Sequence, residues 1–203
     1  MGWLRETFGP SREEIWTQLS AEIGAEFIDG GTWKGDKVVA HVKEWTITLD
    51  VYTVLVGKVP VTFTRMRAPY VNRDSFRFKI SRKSFFSGLS KALGMQDVEI
   101  GDAAFDEAFV IQGNDEAKLK ALFANEKIRQ LLLAQPEVSF EVKGDEGWFG
   151  AQFPEGVDEL AFQVGGDGKD KERLKGLFDL FAEVLNHLCV IGSAYESDPQ
   201  VKL

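Results

Sequence analysis

Residues 45–67 run WTITLDVYTVLVGKVPVTFTRMR, and this stretch carries the clearest structural signal in the chain. From residue 45 to residue 53, apolar side chains alternate with polar ones, the two-residue period of a strand with one buried face. Gly57-Lys58 supplies a tight turn, because glycine accepts a positive φ. A second strand then returns, with Pro60 near its start, where a missing N–H is tolerated. The stretch therefore predicts a long antiparallel hairpin.

The rest of the chain must cover this hairpin, since two strands alone are only marginally stable. Ser11 and Glu14 match a capping box and predict a first helix over residues 11–27. Apolar residues at helical spacing predict a long C-terminal helix over 170–191. Further strands are predicted near 32–33 and at 38–42, 75–81, 98–100, 109–112, 138–142, 148–153 and 160–164. A short helix is predicted at 85–93, one broken or two short helices within 114–133, and a frayed end at 193–203.

This order of elements predicts the fold class. Runs of antiparallel strands with segregated helices are typical of an α+β fold, here antiparallel β-meanders with a long C-terminal helix packed on the sheet. The 203 residues suit one sizeable domain or two small ones. We expect a single composite domain over 1–203, with two subdomains dividing near 96–102 as the alternative.

Composition excludes several classes of protein. The chain is 44% hydrophobic and 28% charged, as in ordinary globular proteins. No segment approaches the roughly 18 apolar residues that span a bilayer. The first residues lack the apolar run of a signal peptide, and one cysteine, Cys189, cannot form an internal disulfide. We therefore expect a cytoplasmic protein.

Charge is distributed unevenly. The net charge is -8, yet residues 58–91 hold nine basic side chains and one acid, Asp74. Four of these basic residues are candidates for a patch on the sheet that binds an anion or a partner: Arg65, Arg67, Arg77 and Lys79. A nucleic-acid backbone or an anionic membrane surface would suit such a patch. The acidic remainder disfavours nucleic acid, so pairing within the chain or with a protein partner is the preferred interpretation, and peripheral membrane contact stays an alternative.

No catalytic, cofactor or metal-binding motif emerges. The glycine-rich run 165–169 lacks the spacing of a phosphate-binding loop. His187 and Cys189 are two apart on a predicted helix, so they point in different directions rather than toward one ion. The acids of residues 97–107 lack calcium-loop spacing and fit a solvated loop in which Asp106 caps a turn. We predict no cofactor, and whether the chain is an enzyme stays open.

Three segments resemble a known group of proteins. They are Trp33-Lys34-Gly35 together with Trp45 to Thr53, TRMRAP at residues 64–69, and residues 100–115, which contain the pattern F-D-x-x-F-V at 105–110. Together they resemble a family of uncharacterised prokaryotic proteins. The resemblance implies a bacterial or archaeal origin and brings no activity with it.

Two hypotheses for function follow. The first is a noncatalytic cytoplasmic module that binds a protein partner, or itself, through the charged face of the sheet. The second is a small-molecule-binding protein or enzyme with an aromatic-lined pocket between the C-terminal helix and the sheet, because helix-over-sheet packing can leave such a cavity.

Overall fold

The computed structural model describes residues 9–31, 35–85, 96–144 and 152–203. Within these residues, nine strands form one antiparallel sheet in the order β1-β2-β3-β4-β9-β8-β5-β7-β6, and a tenth, β10, pairs with β4. Helices cover the sheet, so the α+β prediction is confirmed.

The strands are β1 Glu26–Ile28, β2 Lys37–Val42, β3 Trp45–Val56, β4 Val59–Asn72, β5 Phe78–Arg82, β6 Gln96–Asp97, β7 Phe109–Gly113, β8 Ser139–Lys143, β9 Val157–Gly165 and β10 Ala194–Tyr195. The helices are α1 Arg12–Ile23, α2 Ala103–Ala108, α3 Glu116–Phe123, α4 Glu126–Leu133 and α5 Lys171–Val190.

The predicted central hairpin is confirmed as β3 and β4. Gly57 occupies the turn with φ +66°. β4 extends to Asn72, so residues 68–72 continue the strand and are not the extended connection that the sequence suggested. Their partner is β9, which pairs with β4 up to Val71 opposite Val157. This pairing joins the two predicted meanders in one sheet.

The first helix begins at its predicted cap but ends early, and the helix predicted to start at Asn114 is capped by Asp115. Ser11 accepts a hydrogen bond from the Glu14 backbone and Glu14 reciprocates, so the capping box is present. Gly24 ends α1 in the left-handed conformation at φ +68°, three residues before the predicted end. The predicted helices within 114–133 are two, α3 and α4. The six-residue α2, capped by Asp102, was not predicted.

The C-terminal helix packs on the sheet through a shared aromatic core. Phe181 of α5 lies 5.5 Å from the ring of Phe140 on β8, which in turn contacts Phe78 and Phe162 on neighbouring strands. Along the buried side of α5, Leu174, Leu177, Phe178, Leu180, Phe181, Val184, Leu185 and Leu188 are all buried. The long helix across the sheet is thus confirmed.

Several other predictions differ from the structure or lie outside it. The strand predicted at 98–100 is found at 96–97. The end predicted to fray contains β10 and a buried Pro199, and Lys37 Nζ donates to the Leu203 carbonyl oxygen at 2.9 Å. The strand near 32–33, most of the helix at 85–93 and most of the strand at 148–153 lie outside the described residues. β6, at the predicted 96–102 division, belongs to the same sheet, and the single-domain organisation stays a prediction. Among the described helices, none combines the length and apolar character that crossing a bilayer would require.

Candidate interaction surface

The β3–β4 ribbon is longer than the strands on either side of it. β2 pairs with β3 only as far as Asp50, and β9 pairs with β4 only from Phe63 onward. Residues 51–56 and 59–62 therefore form a two-stranded extension beyond the sheet. An isolated ribbon of this kind has no second layer to bury its side chains. Its side chains are half-buried near the sheet and exposed from residue 53 to residue 60.

The end of this extension is apolar on both faces. Val54, Val56 and Val59 lie on one face and are 39%, 61% and 62% exposed, while Leu55 lies on the other and is 74% exposed. We call these four residues the apolar tip. Lys58 is the one charged residue between positions 51 and 64. The tip exposes on the order of 400 Å² of apolar surface, within the range of the largest patches on monomers, which are often functional.

Two side-chain pairs stiffen the extension below the tip. The rings of Tyr52 and Phe63, opposite each other, stack with centroids 5.6 Å apart. On the other face, the hydroxyls of Thr53 and Thr62 hydrogen-bond at 2.9 Å. Cross-strand pairs of this kind stabilise a ribbon by tenths of a kcal/mol to about 1 kcal/mol each. The part of the extension next to the apolar tip, which we call its base, is therefore held by these two cross-strand pairs.

Two of the predicted patch residues, Arg65 and Arg67, meet at this base around one carboxylate. Arg65 donates two hydrogen bonds of 2.9 Å to Asp50, and its guanidinium lies 4.9 Å from the centre of the Tyr52 ring. Arg67 is buried and donates to the same carboxylate at 2.5 Å. Both guanidinium groups therefore donate hydrogen bonds to the Asp50 carboxylate of the same chain.

The other two predicted patch residues lie elsewhere on the sheet. Arg77 donates to Asp158 at 2.9 and 3.2 Å, and Lys79 lies 3.4 Å from Glu141 on the neighbouring β8. Arg77 is also partly exposed. The structure thus brings Arg65 and Arg67 together and places Arg77 and Lys79 in separate ion pairs. The anion or partner role of the four stays a prediction.

A buried carboxyl group, Glu159, lies near the arginines and was missed by sequence reasoning. Glu159 is 1% exposed, and its Oε2 atom has no hydrogen-bond partner among the residues that the structure describes. Burial raises the pKa of Glu159 to about 7, and the nearby Arg67 and Lys143 charges lower it only in part. No sequence motif marks this residue, because its burial depends on strands that are distant in the chain.

Two acids of residues 97–107, Asp102 and Asp106, hold the chain around the start of α2. Asp106, in the F-D-x-x-F-V pattern, accepts hydrogen bonds from the backbone N–H groups of Ile100 and Gly101, each at 2.9 Å. Asp102 caps α2 and lies 3.0 Å from the Arg129 guanidinium. The described part of the chain contains no group of three or more His, Cys, Asp or Glu side chains placed to hold a metal ion.

Two cavities bear on small-molecule binding. A pocket of about 810 Å³ opens beside β6 and β7, lined in part by Lys83, Glu99, Phe109 and Lys120. A smaller one of about 270 Å³ lies at the start of α5, against Thr64 and the glycine-rich run 165–169. The second is at the helix–sheet boundary that the sequence hypothesis named, although its lining contains no aromatic residue among the described ones.

Comparisons with known proteins give little beyond this geometry. The chain matches no protein-family model and no curated protein. Among solved structures it has a distant likeness to the mycobacterial trehalose monomycolate transport factor A, TtfA, with a TM-score of 0.48 and 8% sequence identity over 86% of this chain and 94% of that chain. The absence of a family or curated match is consistent with the resemblance to an uncharacterised family.

Proposed function

We propose that this chain is a noncatalytic protein-interaction module whose contact surface is the apolar tip. The observation that carries the proposal is the exposure of Leu55 on one face and of Val56 and Val59 on the other, at the end of a ribbon that projects beyond the sheet. The sequence hypothesis placed contact on the charged face of the sheet. There, Arg65 and Arg67 both bind Asp50, so the apolar tip is the better-supported surface.

The size of the tip supports a specific contact. About 400 Å² of apolar surface, at about 25 cal/mol per Å², corresponds to about 10 kcal/mol of favourable transfer free energy if a partner covered all of it. Association costs several kcal/mol in lost translation and rotation, so the net binding would be moderate. Monomers carry patches of this size, and such patches are often functional, so the exposure supports a contact surface without naming the partner.

The test is site-specific photo-crosslinking in the cells that naturally express the chain. A benzophenone amino acid replaces Val56 in one variant and Val190 in a matched control; Val190 is the last residue of α5 and is 76% exposed. We expect a discrete adduct from position 56 that is lost when Leu55→Glu is added, and no such adduct from position 190. Equal labelling at both positions, or none at position 56, would refute the proposal.

The second candidate is a small-molecule binder. The cavity of about 270 Å³ between α5 and the sheet, with Thr64 and Leu177 in its wall, is the observation that supports it. The volume is slightly below the usual range for ligand pockets. Native mass spectrometry of gently purified protein tests it: a copurified mass would favour a binder or enzyme, and a bare chain mass would favour the interaction module.

Three expectations belong to the same proposal. We propose a cytoplasmic location, a single composite domain, and a secondary role in partner binding for the predicted patch. The partial exposure of Arg77 supports the last of these, because its guanidinium can meet solvent or a partner while it holds Asp158.

A further inference from the structure

We infer that the partner at the apolar tip is a second copy of this chain, joined to the first by antiparallel pairing of the two β3 edges. This inference rests on the proposed function and names its partner. It is drawn from the backbone of the extension, where no strand of the described part of the chain pairs with one edge of the ribbon and the other edge is closed.

The free edge belongs to β3. Val56 and Val59 flank the two-residue turn, and such a flanking pair exchanges backbone hydrogen bonds. Because bonded and non-bonded pairs alternate, the N–H and C=O groups of Thr53 and Leu55 point away from β4. Beyond Asp50, no described strand pairs with β3 on that side. Among the residues that the structure describes, Thr53 and Leu55 therefore present two donors and two acceptors with which no strand pairs.

The opposite edge, on β4, is closed to strand pairing. Pro60 faces outward there and has no N–H to donate. The next outward residue, Thr62, already accepts a hydrogen bond from the Gly166 backbone N–H at 2.9 Å, and Thr64 Oγ1 donates to the Gly166 carbonyl at 2.9 Å. With one edge available per chain, pairing uses the same surface on both copies. Such an isologous contact stops at two chains and does not grow into a filament.

The open edge is complementary to itself. With the two-fold axis at Val54, Thr53 of one copy lies opposite Leu55 of the other, and the two residues exchange both backbone bonds, giving four across the interface. Val54 then meets its counterpart, and Tyr52 lies opposite Val56. Residues 51–56 contain no charged side chain, so the pairing places no like charges opposite each other despite the net charge of -8.

The area sets the strength of this contact. The apolar tips of two copies together offer well under the roughly 1,200–2,000 Å² of a standard interface, so the dimer should be weak and concentration-dependent. A lipid bilayer suits the tip less well, because insertion would bury the free backbone groups of Thr53 and Leu55 without partners.

Sedimentation equilibrium from about 5 to about 500 µM tests the inference, a range chosen for an interface of this size. Thr53→Pro removes an outward N–H and keeps every side chain of the apolar tip, while Thr53→Val keeps that N–H and serves as the matched control. We expect a monomer–dimer equilibrium for the wild type and for Thr53→Val, and at least tenfold weaker association for Thr53→Pro. Leu55→Lys, which places a charge on the edge, provides a second disrupting variant should Thr53→Pro fold poorly.

The outcomes separate the two proposals. A wild type that stays monomeric at every concentration, or a folded Thr53→Pro variant that dimerises as the wild type does, would overturn edge pairing. A crosslinked adduct at position 56 with the mass of a different protein would overturn the second copy and leave the interaction module intact. Tip-dependent flotation of the monomer with phosphatidylcholine–phosphatidylglycerol vesicles would replace the second copy with a membrane.

Discussion

Replacing Glu159 with glutamine should change how the stability of the protein depends on pH. Glu159 is 1% exposed, and burial raises its pKa from the ordinary 4.5 to about 7. Between these two values the folded state holds a proton that the unfolded state has released. Stability therefore falls as the pH rises from 4.5 to about 7 and levels off above that, because the folded state then carries the buried charge. Glutamine keeps the shape of the side chain and removes the titration.

The magnitude follows from the size of the shift. A pKa difference of about 2.5 units corresponds to about 3 kcal/mol of unfolding free energy. The variant Glu159→Gln should thus gain about 3 kcal/mol relative to the wild type between pH 4.5 and pH 8. Most other titrating groups affect both proteins equally, so the difference between the two curves isolates Glu159.

Urea unfolding of both proteins at several pH values within this window measures the effect. The matched control is Glu155→Gln, an exposed loop residue that should change the unfolding free energy by less than about 0.5 kcal/mol at any pH. If the difference in unfolding free energy between Glu159→Gln and the wild type were the same at pH 4.5 and pH 8, the inference that Glu159 holds a proton in the folded state would be wrong.

Three further predictions concern other parts of the molecule. Asp158→Ala should lower the unfolding free energy by about 2–3 kcal/mol in urea, because the buried carboxylate accepts hydrogen bonds from both Asn72 and Arg77; a loss under 0.5 kcal/mol would contradict this. The full chain should unfold in one calorimetric transition, since strands before and after residues 96–102 share a sheet, and two resolved transitions would favour two subdomains. If the predicted patch binds anions, vesicles containing phosphatidylglycerol should bind more weakly at high salt and after Arg77→Gln or Lys79→Gln, whereas affinity unaffected by either change would rule the patch out.

Much of the secondary structure could be predicted because its causes are local. The two-residue alternation and the Gly57 turn predicted the hairpin, and the Ser11 capping box predicted the start of α1. The end of a helix is harder to predict from sequence. Gly24 ends α1 by adopting a left-handed backbone conformation, which the spacing of apolar residues does not show. The short α2 was missed because six residues hold too few turns for a helical period to appear.

The basic segment illustrates what sequence leaves open. Its excess of positive charge is plain in the chain, but the partners are not: Arg65 binds Asp50 from 15 residues away and Arg77 binds Asp158 from 81 residues away. Whether a charge faces solvent or another residue depends on which strands become neighbours. Pairing of β4 with β9, across about ninety residues of chain, settles that only in the folded protein.

The apolar tip shows the same division most clearly. The sequence by itself determined that residues 45–67 form a hairpin, because side-chain alternation and turn chemistry act over a few residues. The loss of alternation at Val54, Leu55 and Val56 is a further sign in the sequence, because three consecutive apolar residues place apolar side chains on both faces. Only the tertiary structure decided that these residues are exposed, because exposure depends on β2 ending its pairing at Asp50 and β9 beginning its own at Phe63. The lengths of neighbouring strands, and not the hairpin's own residues, left its end without a cover.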